Sequence, residues 1–220
     1  MEKTAFLFAG QGAQYIGMGK ELYERYPICK QTFEEASESL SMDLAQLIFH
    51  GEKEELNLTE NTQPAIVTMS IAAYRVLAEY HIVPSVMAGL SLGEYSALTA
   101  SGVFTLSQVV PLVQKRGRFM QEAVPQGIGK MSAILGLSQE KVVEACEEAS
   151  SFGIVEPANF NCPGQIVIGG ENKAVDEACR LAKEKGALRA VELPVSAPFH
   201  TSMLKPAAEK LRIEMEDIRI

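Results

Sequence analysis

Ser85-Val86-Met87-Ala88-Gly89-Leu90-Ser91-Leu92-Gly93-Glu94-Tyr95-Ser96-Ala97-Leu98 decides how the chain is read. Its first five residues are a short apolar run, expected as a buried strand, and Leu92 to Ala100 is expected as a helix. Between them Gly89-Leu90-Ser91-Leu92-Gly93 fits the G-x-S-x-G elbow. Its glycines let a strand turn abruptly into a helix, so that the central hydroxyl stands exposed. Ser91 is therefore the candidate nucleophile. An ordinary glycine-rich turn is the alternative, and the strand-turn-helix context argues against it.

Upstream, Thr4 to Ala9 reads as another buried strand, closed by Gly10 and Gly12. The Gly10-Gln11-Gly12-Ala13-Gln14 loop lacks the third glycine of a dinucleotide fingerprint, because position 15 is Tyr. The more useful reading is a tight loop whose backbone N–H groups, with that of Leu92, form an oxyanion hole. Helical pieces are expected at Glu21 to Tyr26, Thr32 to Leu40 and Leu44 to Phe49. A long, largely apolar helix is expected over Thr62 to Tyr80, with Pro64 placed early in it, and another over Leu106 to Ala123. Pro125, Gly127 and Gly129 break the pattern.

From residue 130 the order strand, helix, strand, strand, helix, strand is that of a ferredoxin-like unit. Pro194 and Pro198 mark a return to the larger domain, with a helix over Ser202 to Leu211. The expected division is thus a large domain of 1–126 and 194–220 and a small subdomain of 127–193.

A serine hydroxyl needs a neighbouring base, and the chain has three histidines. His50 and His81 sit at helix ends, where a histidine commonly meets terminal carbonyls. His200 lies in the loop Ser196 to Thr201 and is the candidate base. No carboxylate stands out as a third member; Asp176 reads as part of a solvated helix face, which leaves a neutral group to orient the imidazole. Arg116, within Lys115-Arg116-Gly117-Arg118, is either part of a surface charge run or a two-pronged clamp for an acyl substrate's free carboxylate.

The 220 residues, 47% of them hydrophobic, can bury a sizeable core. A net charge of -8 argues against nucleic acid or an anionic membrane as the main partner. The start MEKTAFLFAG has no signal-peptide pattern and no apolar run reaches bilayer-spanning length, so a soluble cytoplasmic protein is expected. Cys29, Cys146, Cys162 and Cys179 form no metal-binding spacing and are expected as reduced, mostly buried thiols.

The motifs FAGQGAQ (8–14), GLSLGEYSAL (89–98), QKRGRFMQEAVP (114–125), ANFNCPGQIVIGG (158–170) and VSAPFHT (195–201) together resemble the malonyl-CoA:acyl carrier protein transacylases. The resemblance spans the chain. It implies an α/β fold, with a hydrolase-like large domain built on a parallel sheet and a ferredoxin-like small subdomain. It also implies that a malonyl group moves from malonyl-CoA to the phosphopantetheine thiol of an acyl carrier protein, in fatty acid or polyketide synthesis. No metal or cofactor is implied, and a monomer is expected.

By the same resemblance Ser91 is the nucleophile and His200 the base. Gln11 and Leu92 give the oxyanion N–H groups, Arg116 pairs with the malonyl carboxylate, and Met120 and Asn159 line the site. Phe199 matches malonyl-using members rather than those taking branched extender units. Leu90 departs from the family's frequent His. The family's chains run beyond residue 220, through a strand, a helix and the Gln that orients the histidine, so the C-terminal part of the large domain is expected to be missing. A serine thioesterase or esterase, and a non-catalytic carrier-protein-binding module, are the competing readings. The acidic carrier protein is expected to meet a basic patch near Lys115, Arg118 or the small subdomain.

Overall fold

A computed structural model describes residues 3–125, 127–193, 195 and 197–218. They form two compact units, Met1–Arg118 with Ile213–Ile220, and Phe119–Arg212. The limits expected at 126 and 194 fall on Gln126 and Pro194, outside the described residues.

In the first unit, β1 (Ala5–Phe8) pairs in parallel with β2 (Val86–Gly89). The helices are α1 (Lys20–Arg25), α2 (Pro27–Leu40), α3 (Leu44–His50), α4 (Lys53–Leu56), α5 (Thr59–Glu79), α6 (Leu92–Ala100) and the start of α7 (Leu106–Ala123). The core gathers around α5: Phe33, Leu44, Ile48, Leu56, Ile71, Leu92, Leu106 and Val109 are almost wholly buried. Phe33 stacks on Phe49 with centroids 5.3 Å apart, and Tyr23 meets both edge-on. Together these rings fasten α1, α2 and α3.

The strands differ from expectation. Both were expected buried, yet only alternate residues are covered, and Leu7 and Val86 are 80% and 58% exposed. Period-2 geometry explains this, since α6 packs on the pair, Phe6 meets Tyr74 of α5, and the opposite face carries Ala5, Leu7, Val86 and Ala88. α5 begins three residues before its expected start, which moves Pro64 out of the first turn. His81 does cap α5, but through its backbone. At φ 56° its N–H donates to Ala78 and that of Ile82 to Leu77, a Schellman closure.

In the second unit, β3 (Gly129–Leu135), α8 (Gln139–Ala149), β4 (Val155–Cys162), β5 (Gln165–Glu171), α9 (Asn172–Glu184) and β6 (Arg189–Glu192) follow the βαββαβ order. The sheet order is β4-β5-β3-β6, all antiparallel. Alternation along β3 and β5 buries both faces of the sheet. Ile134, Ile166 and Ile168 face a core with Val142, Cys146 and the alanines of α8 and α9. Met131, Ala133 and Val167 pack instead with Met120, Val124, Ala197, Phe199 and Ala207. A turn at Ser202–Leu204 leads into α10 (Lys205–Glu216), which starts three residues later and ends five residues later than expected.

All four cysteines are free; Cys29 and Cys146 are buried, Cys179 is half-buried and Cys162 is exposed. Burial pushes the Cys146 thiol up to about 12, so it is inert at neutral pH. Among the described residues no helix is long and apolar enough to cross a membrane, and no cluster of His, Cys, Asp or Glu could hold a metal.

Candidate active site

The elbow is built by close backbone approach. A Cβ on Gly89 would stand 2.0 Å from the Gly93 carbonyl carbon, one on Gly93 2.2 Å from the Phe8 oxygen, and one on Gly10 2.7 Å from the Leu90 oxygen. β1, its following loop, and the turn into α6 can lie this close only because all three positions lack side chains. Ser91 is left at φ 53°, ψ -103°, a region that ordinary residues avoid. Serine at a helix start usually caps it, but here the side chain makes no capping bond. The hydroxyl is thus available at the positive end of α6.

The Ser91 Oγ instead accepts a hydrogen bond from Arg116 Nη2 at 3.1 Å. Arg116 Nη1 donates to Gln63 Oε1 at 2.9 Å, and the Gln63 Nε2 donates to Gln11 Oε1 at 3.4 Å. Four residues from four segments therefore form one chain of polar contacts. Leu92, wholly buried, is the first residue of α6, so its N–H has no acceptor within the helix. The Gln11 loop is fixed by Gly12 N donating to Gln14 Oε1 and by Gln14 Nε2 donating to Asn57 Oδ1.

Arg116 is partly buried, and its guanidinium lies 5.4 Å from the centre of the Tyr95 ring. Desolvation pulls its pKa below the usual guanidinium value, an effect opposed by Tyr95 and by Glu94 acting through space. Desolvation conversely pushes the Tyr95 hydroxyl up, with Arg116 opposing it. Arg116 stays charged at neutrality, yet it makes no ion pair with any carboxylate among the described residues. Arg118, by contrast, is exposed, and Lys115 pairs with Glu214.

Gly117 brings Arg116 to Gln63. A Cβ there would meet the Thr59 carbonyl oxygen at 2.5 Å and Glu60 Cα at 2.8 Å, so α7 touches the start of α5 backbone to backbone. Gly117→Ala would gain about 1 kcal/mol of helix propensity, but overpacking costs about 1–3 kcal/mol and more against rigid backbone. A net loss of about 2 kcal/mol is expected, read as a lower midpoint in urea unfolding; a higher midpoint would contradict the close approach.

His200 belongs to the second unit and is exposed, at φ 62°. Its turn is held on both sides. Phe199 N donates to Ala197 O, Thr201 Oγ1 donates to Pro198 O at 2.8 Å, and Ser202 donates to Glu156 through both its N–H and its hydroxyl at 2.7 Å. A Cβ on Gly129 would strike Pro198, so the start of β3 also presses on this turn. Phe199 and Met120 are buried in one cluster, while Asn159 is partly buried on β4, just after a bulge, opposite Val167. Leu90 is 57% exposed.

Residues 5–220 match the acyl transferase domain family. The chain belongs to that family. Among its relatives is the malonyl CoA-acyl carrier protein transacylase of Bacillus subtilis strain 168, 54% identical over 96% of this chain and 67% of that protein. The enzyme of the same name from Escherichia coli K12 is 50% identical over 99% of this chain and 71% of the relative. Among solved structures, the Streptococcus pneumoniae MCAT superposes with a TM-score of 0.95 at 53% identity, covering 99% of this chain and 71% of that one. A malonyl-transacylase solved with the acyl carrier protein of a type II PKS does so at 0.96 and 48% identity, covering 99% and 71%. The acyl transferase fold here is mixed α/β, with one parallel strand pair and a separate antiparallel sheet.

Within the first unit the structure gathers Ser91, Leu92, Gln11 and Arg116; within the second it places His200, Phe199, Met120 and Asn159. Gln63 and Tyr95, which complete the surroundings of Arg116, were not anticipated. The available signal for Gln63 was a long polar side chain directly ahead of the apolar run Pro64 to Val67 of a long helix.

Proposed function

We propose that the protein is a malonyl-CoA:acyl carrier protein S-malonyltransferase acting through a malonyl-serine intermediate. One observation carries the choice of acyl group: a partly buried guanidinium with only neutral hydrogen-bond partners, 3.1 Å from the elbow hydroxyl. A desolvated charge that makes no ion pair among the described residues calls for an anionic ligand, and malonyl has its carboxylate one methylene from the reacting carbonyl. A planar two-pronged donor binds that carboxylate and orients it.

In the first half-reaction Ser91 Oγ attacks the thioester carbonyl carbon and His200 takes the hydroxyl proton. The backbone N–H groups of Gln11 and Leu92 meet the oxyanion, each worth about 3 kcal/mol in comparable sites. The C–S bond breaks and the CoA thiol leaves with the proton from His200. In the second half, His200 deprotonates the phosphopantetheine thiol of the carrier protein, its sulfur attacks the ester carbonyl carbon, the C–Oγ bond breaks, and Ser91 Oγ takes back the proton from His200. Met120, Asn159 and Phe199 line the acyl pocket, Phe199 favouring malonyl over branched groups.

Every step is served by side chains and backbone, so no metal or cofactor is required. The first unit is read as a hydrolase-like domain and the second as a ferredoxin-like unit, on its βαββαβ order. A monomer acting in the cytoplasm on an acidic carrier protein, with no nucleic acid or membrane partner, completes the proposal. The carrier-protein complex of a structural neighbour supports that partner.

Incubation with malonyl-CoA followed by intact-mass spectrometry should show one malonyl adduct, discharged on adding a phosphopantetheinylated carrier protein. Free malonate released at the same rate with or without carrier would mark a hydrolase, and no adduct would mark a non-catalytic module.

A further inference from the structure

Gln63 is wholly buried, on the stretch of α5 that packs inside the first unit. Its amide orientation is set by its neighbours. Arg116 has only donors to offer, so the oxygen of Gln63 must face it, and the Nε2 is then turned to Gln11 Oε1. One side chain thus ties the loop after β1 to the guanidinium beside the elbow.

The chemical type matters as much as the position. A carboxylate of the same length would also accept from Nη1, but would pair with the guanidinium and cancel its charge. At low local dielectric such a pair is hard to part. The other groups that Arg116 contacts, the Ser91 hydroxyl and the Tyr95 ring, are neutral as well, and Glu94 acts on it through space without forming an ion pair.

We propose that Gln63 is a selectivity-determining positioning residue: a neutral acceptor that aims Arg116 while leaving its charge available to the carboxylate of the acyl group. This rests on the transferase reading given above.

Two near-isosteric variants separate aim from charge. Gln63→Glu keeps the acceptor and adds charge. Its kcat/KM ratio for malonyl-CoA over acetyl-CoA should fall roughly tenfold or more, through a raised KM for malonyl-CoA with acetyl transfer unchanged or faster. Gln63→Met keeps neutrality and removes the acceptor. It should raise the malonyl-CoA KM severalfold and leave that for acetyl-CoA unmoved, a split that a general loss of structure would not produce. Gln63→Glu with a wild-type preference, or Gln63→Met with a wild-type malonyl-CoA KM, overturns the inference. Should Gln63→Glu not fold, Gln63→Met alone still decides it. If the wild-type protein forms a malonyl adduct while either overturning result is seen, only this inference fails; if the wild-type protein forms none, the transferase reading itself is wrong.

Discussion

Ser91→Ala should leave no malonyl adduct by intact mass and lower transfer to a carrier protein by at least roughly ten-thousandfold, because the proposed covalent step runs through the Ser91 hydroxyl. The fold should survive. Alanine, like serine, carries a Cβ, so the elbow's unusual φ and ψ strain both alike, and the side-chain bond from Arg116 Nη2 is lost. One hydrogen bond to a charged group contributes about 1.5–3 kcal/mol, and water in the space left by Oγ restores part of it. A cooperative thermal transition within a few degrees of wild type, together with absence of the adduct, is the expected pair of results. An adduct that persists in Ser91→Ala would remove Ser91 from the chemistry.

Arg116→Ala should reverse the acyl preference without destroying the nucleophile. Losing a charged partner from a desolvated carboxylate costs about 3 kcal/mol, or roughly a hundredfold in kcat/KM for malonyl-CoA. Acetyl-CoA has no carboxylate to lose and should react as well as before or better, since the charge that excludes it is gone. Arg116→Lys should recover only part of the malonyl activity, because an ammonium group cannot serve Gln63, Ser91 and a carboxylate from one planar fork. Steady-state kinetics with both thioesters checks this, and equal losses for the two would show that Arg116 supports the site only structurally.

Spacing made the elbow legible, because two glycines flanking a serine leave a one-dimensional trace of a three-dimensional constraint. His200 was reached by elimination among three histidines, and its loop placement is what the structure displays. The Lys115 to Arg118 run was legible only as a choice: Arg116 turns toward Ser91 and Arg118 to solvent, a difference that comes from helix phase and from Gly117 pressed on Thr59.

Gln63 left no comparable trace. Its contact with Arg116 joins residues 53 apart in the chain, and nothing local marks a buried amide as the partner of a distant cation. Helix starts were missed for related reasons. α2 begins at Pro27, where proline at the first position was a readable signal. α5 begins after Leu58, which offers no capping oxygen. The βαββαβ order of the second unit was read directly, since each short segment carries its own period.

The unusual backbone at Ser91 bears on how such a chain can decay. Glycine would occupy those torsion angles without resistance, so the hydroxyl is retained against a standing conformational preference. A descendant released from acyl transfer has two reasons to abandon serine here, loss of use and relief of tension. Its reappearance at this corner in a distant descendant would then be a sign of continued selection, stronger than a conserved residue in relaxed backbone could provide.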